Sequence, residues 1–201
     1  ILDYLHDDDR LFFLGDAIDR RPHGVDLLKR LIADDRVIYL MGNHEKMMVD
    51  SLPILMDEEQ MDLYYASGRS SSFFGDIDPL LWTEYNGGQV TWEDWVFNYS
   101  TDTINGYMNM IKNLPLELFY ENRRGDHIIL THAGYTPGCF NYRHGHDPLW
   151  NREHFHDSWQ KTGDHNEDLT NTYIVHGHTP VQYLRFRYGY KDQLPMTAED
   201  L

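Results

Sequence analysis

The chain of 201 residues is acidic, with 33 Asp and Glu against 17 Lys and Arg and a formal net charge of -16. Such a surface repels polyanions, which excludes nucleic-acid binding through a broad basic face. Residues that are 41% apolar and 14% aromatic supply a core; no run reaches the roughly 18 apolar residues of a membrane span, and one cysteine, Cys139, excludes an internal disulfide framework and leads us to expect a cytoplasmic setting.

A short helical tail at Leu2 to Leu5 leads through Asp7-Asp8-Asp9 to an apolar strand at Leu11 to Leu14. Pro22 is then predicted to open a helix, with Val25, Leu27, Leu28, Leu31 and Ile32 at helical spacing. "RVIYLM" (Arg36 to Met41) is a second buried strand, ended by Gly42. Strand, helix, strand in this order is a βαβ unit of a mostly parallel sheet. From about 45 to 113 the chain turns helical and irregular, with "NGGQVTWEDW" (Asn86 to Trp95) predicted as a Gly-rich, aromatic interruption. Within it, Gly68 to Trp95 is expected to wall a cleft, its Trp and Tyr residues packing there rather than contacting a peptide. Strand character returns at Leu118 to Tyr120, His127 to Thr131, Tyr173 to His176 and Val181 to Phe186, and "GDHNEDLTN" (Gly163 to Asn171) is a polar loop. Nothing in the composition suggests a linker, so one domain over 1–201 is expected.

In open α/β sheets, ligands collect beyond the carboxyl ends of the strands. Four strands here exit into "LGDAIDR", "MGNHE", "THAG" and "VHGHTP". A single Gly-Asp or Gly-Asn after a strand is ordinary turn chemistry. Four exits that each deliver Asp, Asn or His are not explained by turns, and these oxygen and nitrogen donors suit manganese, iron or zinc.

Together GDxxDR (Gly15 to Arg20), GNHE (Gly42 to Glu45), HAG (His132 to Gly134) and GHTP (Gly177 to Pro180) resemble the calcineurin-like metallophosphoesterases, in particular their protein serine/threonine phosphatase branch with its bacterial and phage members. "LWNRE" (Leu149 to Glu153) is similar to a further segment of that branch. The resemblance implies an α/β sandwich of mixed sheets flanked by helices, and hydrolysis of phosphate monoesters by a water activated between two divalent cations, manganese first, with iron or zinc as alternatives. It implies Asp16 as the bridging ligand and Asn43, His132 and His178 as further metal ligands. His44 would be the general acid with Asp19 holding its other ring nitrogen, and Arg20 and Arg152 would grip the phosphate, a task suited to the bidentate guanidinium. The partner is a phosphorylated substrate, a phosphoprotein or a small phosphoester, with neither nucleic acid nor membrane.

Arg21 stands where the family usually has Gly and reads as surface. His23, His127, His146, His154, His156 and His165 match no motif position, and His176 reads as structural. The family's first motif, Asp-x-His-Gly after a strand, has no counterpart among the residues before Asp16, so the chain is expected to be a fragment lacking the N-terminal strand and a returning C-terminal one. Two alternatives follow: a dinucleoside tetraphosphate hydrolase, which shares much of the pattern, and a degenerate phosphate- or metal-binding module without turnover.

Overall fold

A computed structural model describes residues 1–69, 78–135, 147–152 and 171–180. The chain divides into two compact units, Ile1–Pro115 and Leu116–Leu201, and its elements are those of an α/β fold with mixed sheets. Among the described residues, no helix is long and apolar enough to cross a membrane.

In the first unit a 3-10 turn (Leu2–Tyr4) precedes strand β1 (Leu11–Phe13), helix α1 (Gly24–Ala33) and strand β2 (Val37–Tyr39). The strands pair in parallel, Leu11 opposite Val37 and Phe13 opposite Tyr39, so α1 is the crossover of the predicted βαβ unit. Its apolar residues recur at helical spacing: Val25, Leu28 and Leu31 are buried, while Asp26 and Arg30 stay in water. The helix starts two residues after Pro22, because His23 is still in a left-handed turn with φ 71°.

The expected helical layer follows as α2 (Asn43–Leu55), α3 (Glu58–Ala66), a π-helical turn (Leu81–Tyr85), α4 (Gln89–Asn98) and α5 (Thr101–Lys112). Side-chain caps start two of them, Asp57 accepting from the Gln60 amide at 3.1 Å and Ser100 from the Thr103 amide at 3.3 Å. The predicted interruption at Asn86 to Trp95 is confined to its first three residues. Gly87 takes φ 82°, and from Gln89 the chain is helical. Thr91 and Trp95, four residues apart, share the buried face of α4, and that burial decides for helix over loop. Leu28, Met48, Leu52, Trp82, Trp95 and Ile111 are fully buried in the resulting core, where the Trp95 indole donates to the Met48 sulfur at 3.3 Å.

The second unit holds a three-stranded mixed sheet. Strand β3 (Glu117–Glu121) runs antiparallel to β4 (His127–Thr131), and β5 (Thr172–Val175) runs parallel to β4 on its other side. The hairpin turn between β3 and β4 is built by Asn122, whose side-chain oxygen accepts from the amides of Arg124 and Asp126 at 2.8 and 3.0 Å. The strand predicted at Val181 to Phe186 and nearly all of the polar loop at Gly163 to Asn171 lie outside the described residues.

Candidate active site

All four signature segments sit where the sequence put them, directly after β1, β2, β4 and β5. Asp16, Asp19 and Arg20 follow β1, and Asn43, His44 and Glu45 open helix α2 after β2; both segments belong to the first unit. His132 follows β4 and His178 follows β5, in the second unit. Asp16, Asp19, Arg20 and His178 are four of the seven non-glycine residues with left-handed backbone among the described residues. Such conformations cost about 1 kcal/mol or more per residue and persist where surrounding bonds over-determine them.

For the loop after β1 the over-determining group is Glu45. It is completely buried, and its carboxylate accepts from the amides of Asp16 at 2.8 Å, Ala17 at 2.8 Å and Gly42 at 3.0 Å and from the Tyr39 hydroxyl at 2.8 Å. Burial pushes its carboxyl above the usual range, with the Asp16 charge adding to the effect, and the hydrogen bonds from the Asp16 amide, the Tyr39 hydroxyl and the Ala17 amide oppose that rise. Burial likewise raises the Tyr39 phenol, with Glu45 adding to it. Gly42 is obligatory beside them: a Cβ there would lie 2.5 Å from both the Asp16 amide nitrogen and the Glu45 carboxylate. The Asp16 carboxylate in turn accepts from the His44 amide at 3.2 Å, so the exits of β1 and β2 are tied to each other at both ends.

Asp19 and His44 form a buried pair, with Nδ1 of the imidazole 2.5 Å from Oδ2 of the carboxylate. The opposite ring nitrogen, Nε2, lies 2.8 Å from an Arg20 guanidinium nitrogen. Because guanidinium has only donors, Nε2 accepts and the ring proton sits on Nδ1, facing Asp19. Carboxylate, imidazole and guanidinium thus form one chain. It lines a cleft of about 490 Å³ whose wall also includes Asp16, Arg21 and His23. Both Arg21 and His23 are exposed.

In the second unit, His132 is buried and its Nε2 lies 3.1 Å from Nδ1 of His178, with the rings 70° apart. Two imidazoles bound at about 2.1 Å to one cation at right angles would have their nitrogens about 3 Å apart, so this pair fits a divalent ion. Backbone bonds fix the segment: the Ala133 amide donates to Pro148 O and the Gly177 amide to His132 O, both at 2.8 Å. Arg152 is exposed and its Nε donates to the Thr179 hydroxyl at 3.2 Å, while Trp150 meets the His178 ring edge-on at 5.8 Å. His176 is half-buried, which lowers its pKa, and its Nδ1 lies 3.3 Å from Gly177 O. His146, His154, His156 and His165 lie outside the described residues.

Three residues to which the sequence assigned no role carry this geometry: Glu45, from the GNHE motif, with Trp82 and Thr91. The signal for Glu45 was its place three residues into a helix whose N-cap is Gly42, the capping-box position, where a carboxylate turns back to the chain entering the helix. Trp82 and Thr91 gave no local signal, since both reach Asp19 from a distant segment.

Among curated proteins none matches the chain. The family model described as calcineurin-like phosphoesterase matches residues 1–195, a span that takes in all four strand exits and the Asp19–His44 pair. The chain therefore belongs to the calcineurin-like phosphoesterase family.

Proposed function

We propose that this protein is a phosphomonoesterase of the serine/threonine protein phosphatase type, the finer activity within the metal-dependent phosphoester hydrolysis that characterises its family. The observation that carries the reading is the Asp19–His44–Arg20 chain at the cleft. In this reading Asp16, Asn43, His132 and His178 are metal ligands for a pair of divalent ions, with manganese the first to be tried. When bound, such ions supply an activated water and neutralise charge on the phosphoryl oxygens.

The remaining work falls to the chain itself. Arg20 turns from His44 to the phosphate, where its planar fork matches two oxygens, and Arg152 makes a second grip. Release of Arg20 leaves Nε2 of His44 open to a proton, which the adjoining phosphate charge favours. Water adds to phosphorus as the ester P–O bond breaks, the leaving alkoxide takes the proton from Nε2 and departs as the alcohol, and the protons of the added water leave with the inorganic phosphate. The Asp19 carboxylate holds the ring in place and stabilises its cationic form.

Presented with manganese, a phosphoserine peptide and a dinucleoside polyphosphate, the protein should release phosphate from the peptide and leave the dinucleotide intact. The reverse preference would overturn the phosphatase assignment. Atomic absorption should find two ions per chain; one or none, with no turnover, would favour a binding module.

A further inference from the structure

Asp19 is oriented by the helical layer. Its Oδ1 accepts from the Thr91 hydroxyl at 2.7 Å, and the same hydroxyl oxygen accepts from the Asp19 amide at 3.0 Å. Its Oδ2 accepts from the Trp82 indole N–H at 2.8 Å while also facing Nδ1 of His44. Both donors are deep in the first unit, Trp82 fully buried and Thr91 nearly so.

The local fold delivers them to this place. Trp82 lies in the π-helical turn, a rare geometry that re-aims side chains. Gly88 follows it, and a Cβ there would collide with the Trp82 indole. Between them Gly87, at φ 82°, directs its carbonyl to the Arg20 amide at 2.9 Å. One short segment therefore fixes the carboxylate of Asp19 and the backbone of Arg20 together.

The donors are neutral. A lysine or arginine in their place would fix the carboxylate but also neutralise it. An indole and a hydroxyl set its direction and leave its charge available to the imidazole. Resting on the acid role given to His44 above, we infer that Trp82 and Thr91 are positioning residues of the acid pair: a segment 63 and 72 residues downstream of Asp19 aims it, and through it His44, for proton donation.

Proton donation matters most for a poor leaving group, so the test compares phenyl phosphate with p-nitrophenyl phosphate on the full chain with manganese. Trp82→Phe removes the indole donor along with some ring volume, and Thr91→Val keeps the side-chain shape but removes the hydroxyl that donates to Oδ1 and accepts from the Asp19 amide. Each should lower kcat on phenyl phosphate by roughly ten- to a hundredfold, the scale of one hydrogen bond to a charged group, with a clearly smaller loss on the nitrophenyl ester. Thr91→Ser, which keeps the hydroxyl, should restore most of it. In the metal-free protein, the downfield proton resonance of His44 Nδ1–H, identified by its absence in His44→Asn, should shift in both variants. Equal losses on the two esters with an unmoved resonance would overturn the inference, provided His44→Asn itself discriminates between the esters. If His44→Asn loses equally on both, the acid reading fails and this inference falls with it. Should Trp82→Phe not fold, the contrast between Thr91→Val and Thr91→Ser decides.

Discussion

Glu45 shows how a single buried charge organises the loop before it. Its carboxylate is held by three amides and a phenol. Removing it leaves those donors without their acceptor at a buried position. Each stranded donor costs about 1–3 kcal/mol, so Glu45→Ala should lower stability in urea by on the order of 3–5 kcal/mol. A loss under about 1 kcal/mol would mean that the loop is held by something else. A second residue-scale prediction concerns Asp34, whose carboxyl is held down at about 2, first by the Arg36 side chain and then by its amide. Arg36 also donates to Leu5 O at 2.6 Å and Leu2 O at 3.2 Å, tying the N-terminal turn to β2. A lowered carboxyl stabilises the fold above its unfolded value of about 3.9 and loses that effect as pH falls through its folded value. The stability difference between wild type and Asp34→Asn should therefore be constant above about pH 4 and shrink towards zero near pH 2. A difference that persists unchanged to the acid limit would contradict the pairing.

At the scale of elements, the strand exits were legible and the helical layer's contribution was not, for one physical reason. A buried strand that exits into glycine and an Asp, Asn or His writes position and chemistry into neighbouring residues. Asp19 draws on Trp82 and Thr91 through contacts that no local pattern encodes. "NGGQVTWEDW" reads as an interruption because it opens on two glycines and carries two tryptophans, yet Asn86 to Gly88 serve the turn and helix α4 runs from Gln89. Gly88→Ala would press a methyl group into the Trp82 indole, and should cost about 1–3 kcal/mol, seen as a lowered Tm. An unchanged Tm would show that the indole can yield. For α5, Ser100→Ala removes the cap on the Thr103 amide and should cost about 1 kcal/mol; calorimetry would detect that difference.

For the whole molecule, a formal charge of -16 opposes the approach of any phosphate ester. Local cations must reverse that field at the cleft. Arg20, joined to His44 there, is one of them, and bound divalent ions are the others in the proposed function. The family was readable in the chain because its signature rests on residue types at strand ends. The loop's left-handed backbone at Asp16, Asp19 and Arg20 was hidden, since Glu45 and the layer over Asp19 hold it from distant positions in the chain. The most direct measurement of the central claim is hydrolysis of p-nitrophenyl phosphate by wild type and Asp16→Asn, before and after chelation. Chelation should abolish wild-type turnover and manganese should restore it, while Asp16→Asn should stay at least about a hundredfold lower at saturating manganese. Turnover that survives chelation, or that is undiminished in Asp16→Asn, would contradict the account.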